Sequence, residues 1–114
     1  MKLANSNDIP KKPVEAAGAE GVEMRLLIGK PDGAPTFAMR LFEVQPGGHT
    51  PLHTHPHEHE VFVLDGHGVV VFNGETSPIG SEDVLLVPGG TEHCFQNTSD
   101  VPLRFLCLVP IAAS

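Results

Sequence analysis

Five of the chain's seven histidines fall within eleven residues: His49, His53, His55, His57 and His59. Imidazole is the commonest protein metal ligand, and it titrates near neutral pH. The cluster runs straight into the apolar stretch Val61-Phe62-Val63-Leu64. It therefore reads as a metal site on a folded strand rather than as a loose His-rich tract. The spacing constrains the geometry. His53 and His55 are two residues apart, so on an extended strand from about Thr50 to His55 both rings leave the same face. A Pro56-His57-Glu58 turn reverses the chain and brings His59 back beside them. On this reading His57 is solvent-exposed at the turn tip, His49 belongs to a surface loop, and His67, just after a turn, is exposed.

His93 is the fourth candidate ligand. It begins a strand after Pro88-Gly89-Gly90, and inward positions of different strands face one another across a β-barrel lumen. Glu60 competes with His59. Neighbours on a strand point to opposite faces, so only one of the two can ligate. By the same alternation Cys94 points away from His93. In the strand over 103–109, Arg104 wants solvent, which turns Phe105 and Cys107 toward the lumen. In the strand over 37–44, Arg40 shares a face with Ala38 and Phe42, either as a pocket cation or as a solvated side chain. Arg40, Phe42, Phe105 and Cys107 are thus the candidate substrate-pocket residues, with Leu41, Leu52, Phe95 and Ile111 as further apolar candidates.

The elements that must position these groups are strands. Eleven prolines and twelve glycines punctuate the chain, and between them lie short runs rich in Val, Leu, Ile and Phe. That pattern argues an all-β sandwich or barrel. Strands are expected over 22–28, 37–44, 50–55, 59–64, 68–72, 76–79, 84–87, 92–97 and 103–109. Turns are expected at Pro31-Asp32-Gly33, Pro46-Gly47-Gly48, Asp65-Gly66, Asn73-Gly74 and Pro88-Gly89-Gly90. Residues 1–21 read as an irregular N-terminal arm and 22–114 as one barrel domain. A length of 114 residues suits a single domain.

Composition narrows the partners. Fourteen acidic against seven basic residues give a formal net charge of −7, which argues against nucleic acid. No run of about 20 apolar residues offers a membrane span. Residues 1–8 lack the apolar region of a signal peptide, so a cytoplasmic location is expected. Cys94 and Cys107 show no metal or redox spacing and read as reduced thiols.

Two segments resemble the motifs of the cupin family. Gly47, five residues, His53-Thr54-His55, three residues, His59, six residues and Gly66 match the first motif, with His59 where the family usually has Glu. Glu82, five residues, Pro88-Gly89-Gly90, two residues, His93, three residues and Asn97 match the second, with Glu82 in place of its leading Gly. The resemblance implies a small single-domain jelly-roll β-barrel. It also implies a metal site of His53, His55, His59 and His93, since the register to Gly66 favours His59 over Glu60. It is similar to the small four-histidine cupins that bind manganese or copper and form dimers.

One divalent transition-metal ion is therefore expected, whether Mn, Cu, Fe, Ni or Zn. Four neutral imidazoles leave its full +2 charge on the site, and nitrogen donors favour the later metals. Four ligands on a six-coordinate ion leave two positions open. The expected function is a metal-dependent oxygenase or dioxygenase acting on a small organic molecule. The alternatives are a non-catalytic metal- or ligand-binding module and a structural metal that clamps the barrel. A homodimer is expected, with the strand over 22–28 adding to a neighbour's sheet edge.

Overall fold

Short β-branched and aromatic runs, each ended by Gly, Pro or Asn, fold here into nine antiparallel strands; the computed structural model describes all 114 residues. The strands are β1 (Lys12–Pro13), β2 (Glu20–Ile28), β3 (Phe37–His49), β4 (His59–Asp65), β5 (His67–Phe72), β6 (Glu75–Gly80), β7 (Val84–Val87), β8 (His93–Gln96) and β9 (Leu103–Pro110). They form one curled sheet in the order β6-β5-β8-β3-β9-β4-β7, with β2 against β3 and β1 against β2. The fold is all-β, as expected. No helix is long and apolar enough to cross a membrane.

β3 joins the two halves of the barrel. Its first part pairs with β9 on one side and β2 on the other, from Phe37↔Pro110 to Val44↔Leu103 and from Val22↔Val44 to Ile28↔Met39. Its last residue, His49, pairs with Gln96 of β8. Alternation then sorts the faces. Ala38 and Val44 of β3, Val61 and Val63 of β4, and Leu103, Phe105, Cys107 and Val109 of β9 turn inward and make the core. The Asn73-Gly74 hairpin forms as expected, with φ of 48° and 81° at its two central residues.

Three local expectations are corrected. Pro46-Gly47-Gly48 is not a turn, because β3 runs through it. Gly47, at φ 79°, absorbs the irregularity, and the backbones of Gly47 and Gly48 pair with Asn97. Residues 50–55 are not a strand. Pro51 supplies no N–H, so the segment keeps only separated links to β8: Thr50 N–H to the Phe95 carbonyl at 2.9 Å, and a bridge between His53 and His93. The arm is not wholly irregular. It carries a 3-10 turn at Ser6–Asp8 and the β1 pairing, Lys12↔Met24 and Pro13↔Glu23, which brings Val14 against the core.

Candidate metal centre

The ring positions are fixed by backbone. His93 opens β8, His59 opens β4, and both are buried, at 2% and 8% exposure. His53 and His55 lie on the connection before β4, which the Pro88-Gly89-Gly90 turn braces from below. Gly90 N–H donates to the His55 carbonyl at 2.7 Å, and Gly89 lies so close to the Pro56 carbonyl that a Cβ there would collide with it. The two motif segments are thus packed against each other at the site.

Three of the rings are held in one orientation by the same device. Nδ1 of His53 faces the Pro51 carbonyl at 2.7 Å, that of His55 the His57 carbonyl at 2.8 Å, and that of His93 the Thr91 carbonyl at 2.9 Å. A carbonyl only accepts, so each Nδ1 carries the proton and each Nε2 keeps a free lone pair. Ligand atoms of His53, His55 and His93 lie within 4.8 Å of one another. Nε2 of His59 sits 2.5 Å from Nε2 of His55. Metal-ligating histidines characteristically give their second ring N–H to a carbonyl in this way. The donor set is therefore compatible with a metal ion.

The environment of His55, His59 and His93 favours the uncharged ring. Burial is the largest cause in each case: it lowers His55 and His93 below the usual imidazole value and pushes His59 down to about 3. The positive charge of Arg40 and of neighbouring rings acts in the same direction on His59. Neutral imidazole is the form that binds metal.

Beneath the rings lies a cavity of about 230 Å³ lined by thirteen residues, among them His53, His59, His93 and the four expected pocket residues Arg40, Phe42, Phe105 and Cys107. Arg40 is a pocket cation: Nη2 lies 3.2 Å from Cys107 Sγ and 3.4 Å from His59 Nδ1. Phe42 stacks on Phe105 at 5.5 Å, and Phe105 tilts against Phe95 at 4.6 Å. Of the other apolar candidates only Phe95 lines the cavity. Leu41 is buried on the opposite face of β3, Leu52 is 56% exposed, and Ile111 packs at the end of β9. Val14, Ala16 and Val22 line it instead. The arm shows no periodicity that would have announced the first two.

The remaining candidates separate. Glu60 points outward and is exposed, pairing with Leu86 and Leu108. Cys94 faces away from the cavity, and His67 is exposed. His57 is not a solvated tip. It is half-buried and stacks on His55 at 3.8 Å with an interplanar angle of 3°, forming a second close group with His55 and His59. The loop closes tightly enough to fold its ring back onto its neighbour. His49 is not in a loop but ends β3, with Nε2 3.7 Å from the Glu20 carboxylate.

Relatives share this architecture. The chain is 33% identical over 114 residues to the oxalate-binding protein of Thermotoga maritima, a match covering 96% of this chain and 93% of that protein. It is 39% identical over 74 residues to 1-methylthio-D-xylulose 5-phosphate methylsulfurylase of Rhodospirillum rubrum, a match covering 65% of this chain and 47% of that enzyme. The chain thus spans about half the length of that relative. Among solved structures, the polyketide cyclase RemF from Streptomyces resistomycificus superposes with a TM-score of 0.93 at 36% identity, covering 97% of this chain and 80% of that one. The cupin-domain family model matches residues 40–109. With both motifs meeting at one histidine cluster inside a curled antiparallel barrel, the chain belongs to the cupin family.

Proposed function

We propose that His53, His55, His59 and His93 bind one divalent transition-metal ion, and that the protein is a metal-dependent enzyme of the dioxygenase type acting on a small organic substrate in the cavity below. The observation that carries the metal site is the shared orientation of the rings. Carbonyl acceptors at Nδ1 turn unprotonated Nε2 atoms toward one another, an arrangement that calls for a cation among them. When bound, the ion would supply Lewis acidity at its two open positions, either to a chelating pair of substrate oxygens or, if redox-active, to one substrate oxygen and dioxygen. The protein's own part is to bind, orient and exclude water. Phe42, Phe95 and Phe105 form an apolar wall, and none of the lining residues is a carboxylate that could serve as general base. Chemistry carried by a metal suits such a cavity better than acid–base chemistry carried by side chains.

A second reading is redox-neutral ring closure of a small carbonyl compound. It is favoured by the likeness to the polyketide cyclase over 97% of this chain. Oxygen uptake decides between them. Metal-free protein is loaded in turn with Fe, Mn, Cu and Zn and offered a panel of small enols and diols. Dioxygen consumption matched to product, absent with Zn, is the expected result. Product formed without dioxygen in the Zn form assigns the cyclase reading, and tight binding with no turnover in any form assigns a binding module.

The working assembly we propose is a homodimer. β1 pairs only with Met24 and Glu23 of β2, Val14 N–H adds a bond to the Val22 carbonyl and Lys2 Nζ one to the Leu27 carbonyl, so the outer edge of β2 is only partly covered and the remainder can take another strand.

A further inference from the structure

Arg40 carries a charge into the cavity that nothing in the protein neutralises. The lining contains no Asp or Glu, and none of the protein's ion pairs includes Arg40. Its Nη2 meets only the Cys107 sulfur and the His59 ring, and its Nε is buried without any hydrogen-bond partner. The Phe42 ring, 5.0 Å from Cζ, gives a cation–π contact but no counter-charge. Arg40 is half-buried with its Nε shut off from solvent, and partial desolvation of a guanidinium without an anion is unfavourable. Its flat fork matches an oxyanion in bidentate geometry, a carboxylate or a phosphate, and of the two the flat carboxylate is the one that continues into a flat body.

The place of Arg40 says more. The His59 ring stands between it and the histidine cluster: Nε2 faces His55 at 2.5 Å, while Nδ1 faces Arg40 at 3.4 Å. A ligand that meets both Arg40 and the histidine cluster has to span the His59 ring. What lies alongside is the stacked wall of Phe42, Phe105 and Phe95, which suits a flat, unsaturated body.

We propose that the cavity takes a small aromatic or unsaturated carboxylate, with its carboxylate on Arg40, its flat body against Phe42 and Phe105, and its oxygen donors turned toward the histidines. The last of these contacts rests on the metal reading above; the first two do not.

The test compares 3,4-dihydroxybenzoate with its uncharged amide, 3,4-dihydroxybenzamide, by calorimetric titration of the zinc-loaded and the metal-free protein. Zinc avoids oxidation of the diol. The acid is expected to bind about tenfold more tightly than the amide. Arg40→Gln abolishes that preference, and Arg40→Lys keeps part of it. Zinc content and melting temperature of each variant report folding and loading separately. Equal binding of acid and amide by the wild type overturns the proposal, as does a preference that survives in Arg40→Gln. If zinc does not bind at all, the metal reading fails; the acid–amide comparison on metal-free protein still decides the role of Arg40.

Discussion

Nδ1 of His59 lies 2.6 Å from Sγ of Cys107, joining the first residue of β4 to the middle of its neighbour in the sheet, β9. Cys107 is 2% exposed, and burial raises its thiol above the ordinary value. For His59 to present Nε2 to a metal, Nδ1 must hold the proton and donate it to the sulfur. Arg40 Nη2 donates to the same sulfur at 3.2 Å. Cys107 is therefore the acceptor that does for His59 what carbonyls do for the other three rings.

That role predicts a graded effect. Cys107→Val keeps the volume but removes the acceptor, and metal affinity should fall by about 10–100-fold. Cys107→Ser retains an acceptor and should hold most of the affinity. Competition titration with a chromogenic chelator measures both, and thermal melts show whether either change acts through folding alone. Equal affinity in the valine variant and the wild type would discard the role.

Glu82 stands where the family motif has glycine, and its φ is 72°. A side chain in the left-handed region is strained, and glycine is not. The backbone is held there because Glu82 N–H donates to the Val63 carbonyl at 2.8 Å, closing the link between β4 and β7. Glu82→Gly should therefore stabilise the protein by about 0.5–1 kcal/mol, with metal affinity unchanged. Chemical denaturation measures the first and chelator competition the second. An unchanged or lower stability would mean that the carboxylate makes a compensating contact in solution.

This departure also marks what could be read from the sequence. Most of the strands and the inward face of β9 follow from alternation, because those positions are decided by burial on a period of two, and the meeting of His53, His55, His59 and His93 follows from the motif spacing, although His53 and His55 lie outside any strand. What could not be read depends on contacts between distant segments. Val14 enters the cavity wall only because two residues of the arm pair with β2. His57 folds onto His55 because the loop is closed from below by Gly90 and Gly89. Pro46-Gly47-Gly48 looks like a turn in isolation, yet Asn97 supplies the backbone partners that keep it in the strand. Whether Arg40 faced solvent or cavity could not be decided from its neighbours on β3, and it is Cys107 on β9 that receives it.

Acid should destabilise the metal-free protein. The folded-state values of His55, His57, His59 and His93 are all depressed, His59 to about 3. In the unfolded chain these groups titrate near their ordinary value of about 6.5. Between the two the unfolded state binds more protons, so stability is fully present above that ordinary value and is lost as pH falls below it. The melting temperature of metal-free protein should drop steadily from pH 7.5 to pH 4. Bound metal should offset the loss until protons displace it. A melting temperature flat across that range would show that the rings titrate alike in the folded and the unfolded protein.

Gly89→Ala tests the brace between the two motifs. A Cβ at this position would meet the Pro56 carbonyl and crowd the backbone at His57. The neighbouring atoms are main chain, so the 55–57 segment must move rather than a side chain. That segment carries His55 and also supplies the carbonyl that orients its ring, 2.8 Å from Nδ1. Pro88 and Gly89 themselves are exposed and pack little of the core. Stability should therefore fall by no more than about 1–2 kcal/mol, whereas metal affinity should fall by at least about tenfold, because misplacing one ligand removes the geometry on which the others depend. Chelator competition and a denaturation curve on the same preparation separate the two. A large loss of stability with metal affinity retained would place Gly89 in the scaffold rather than in the support of His55.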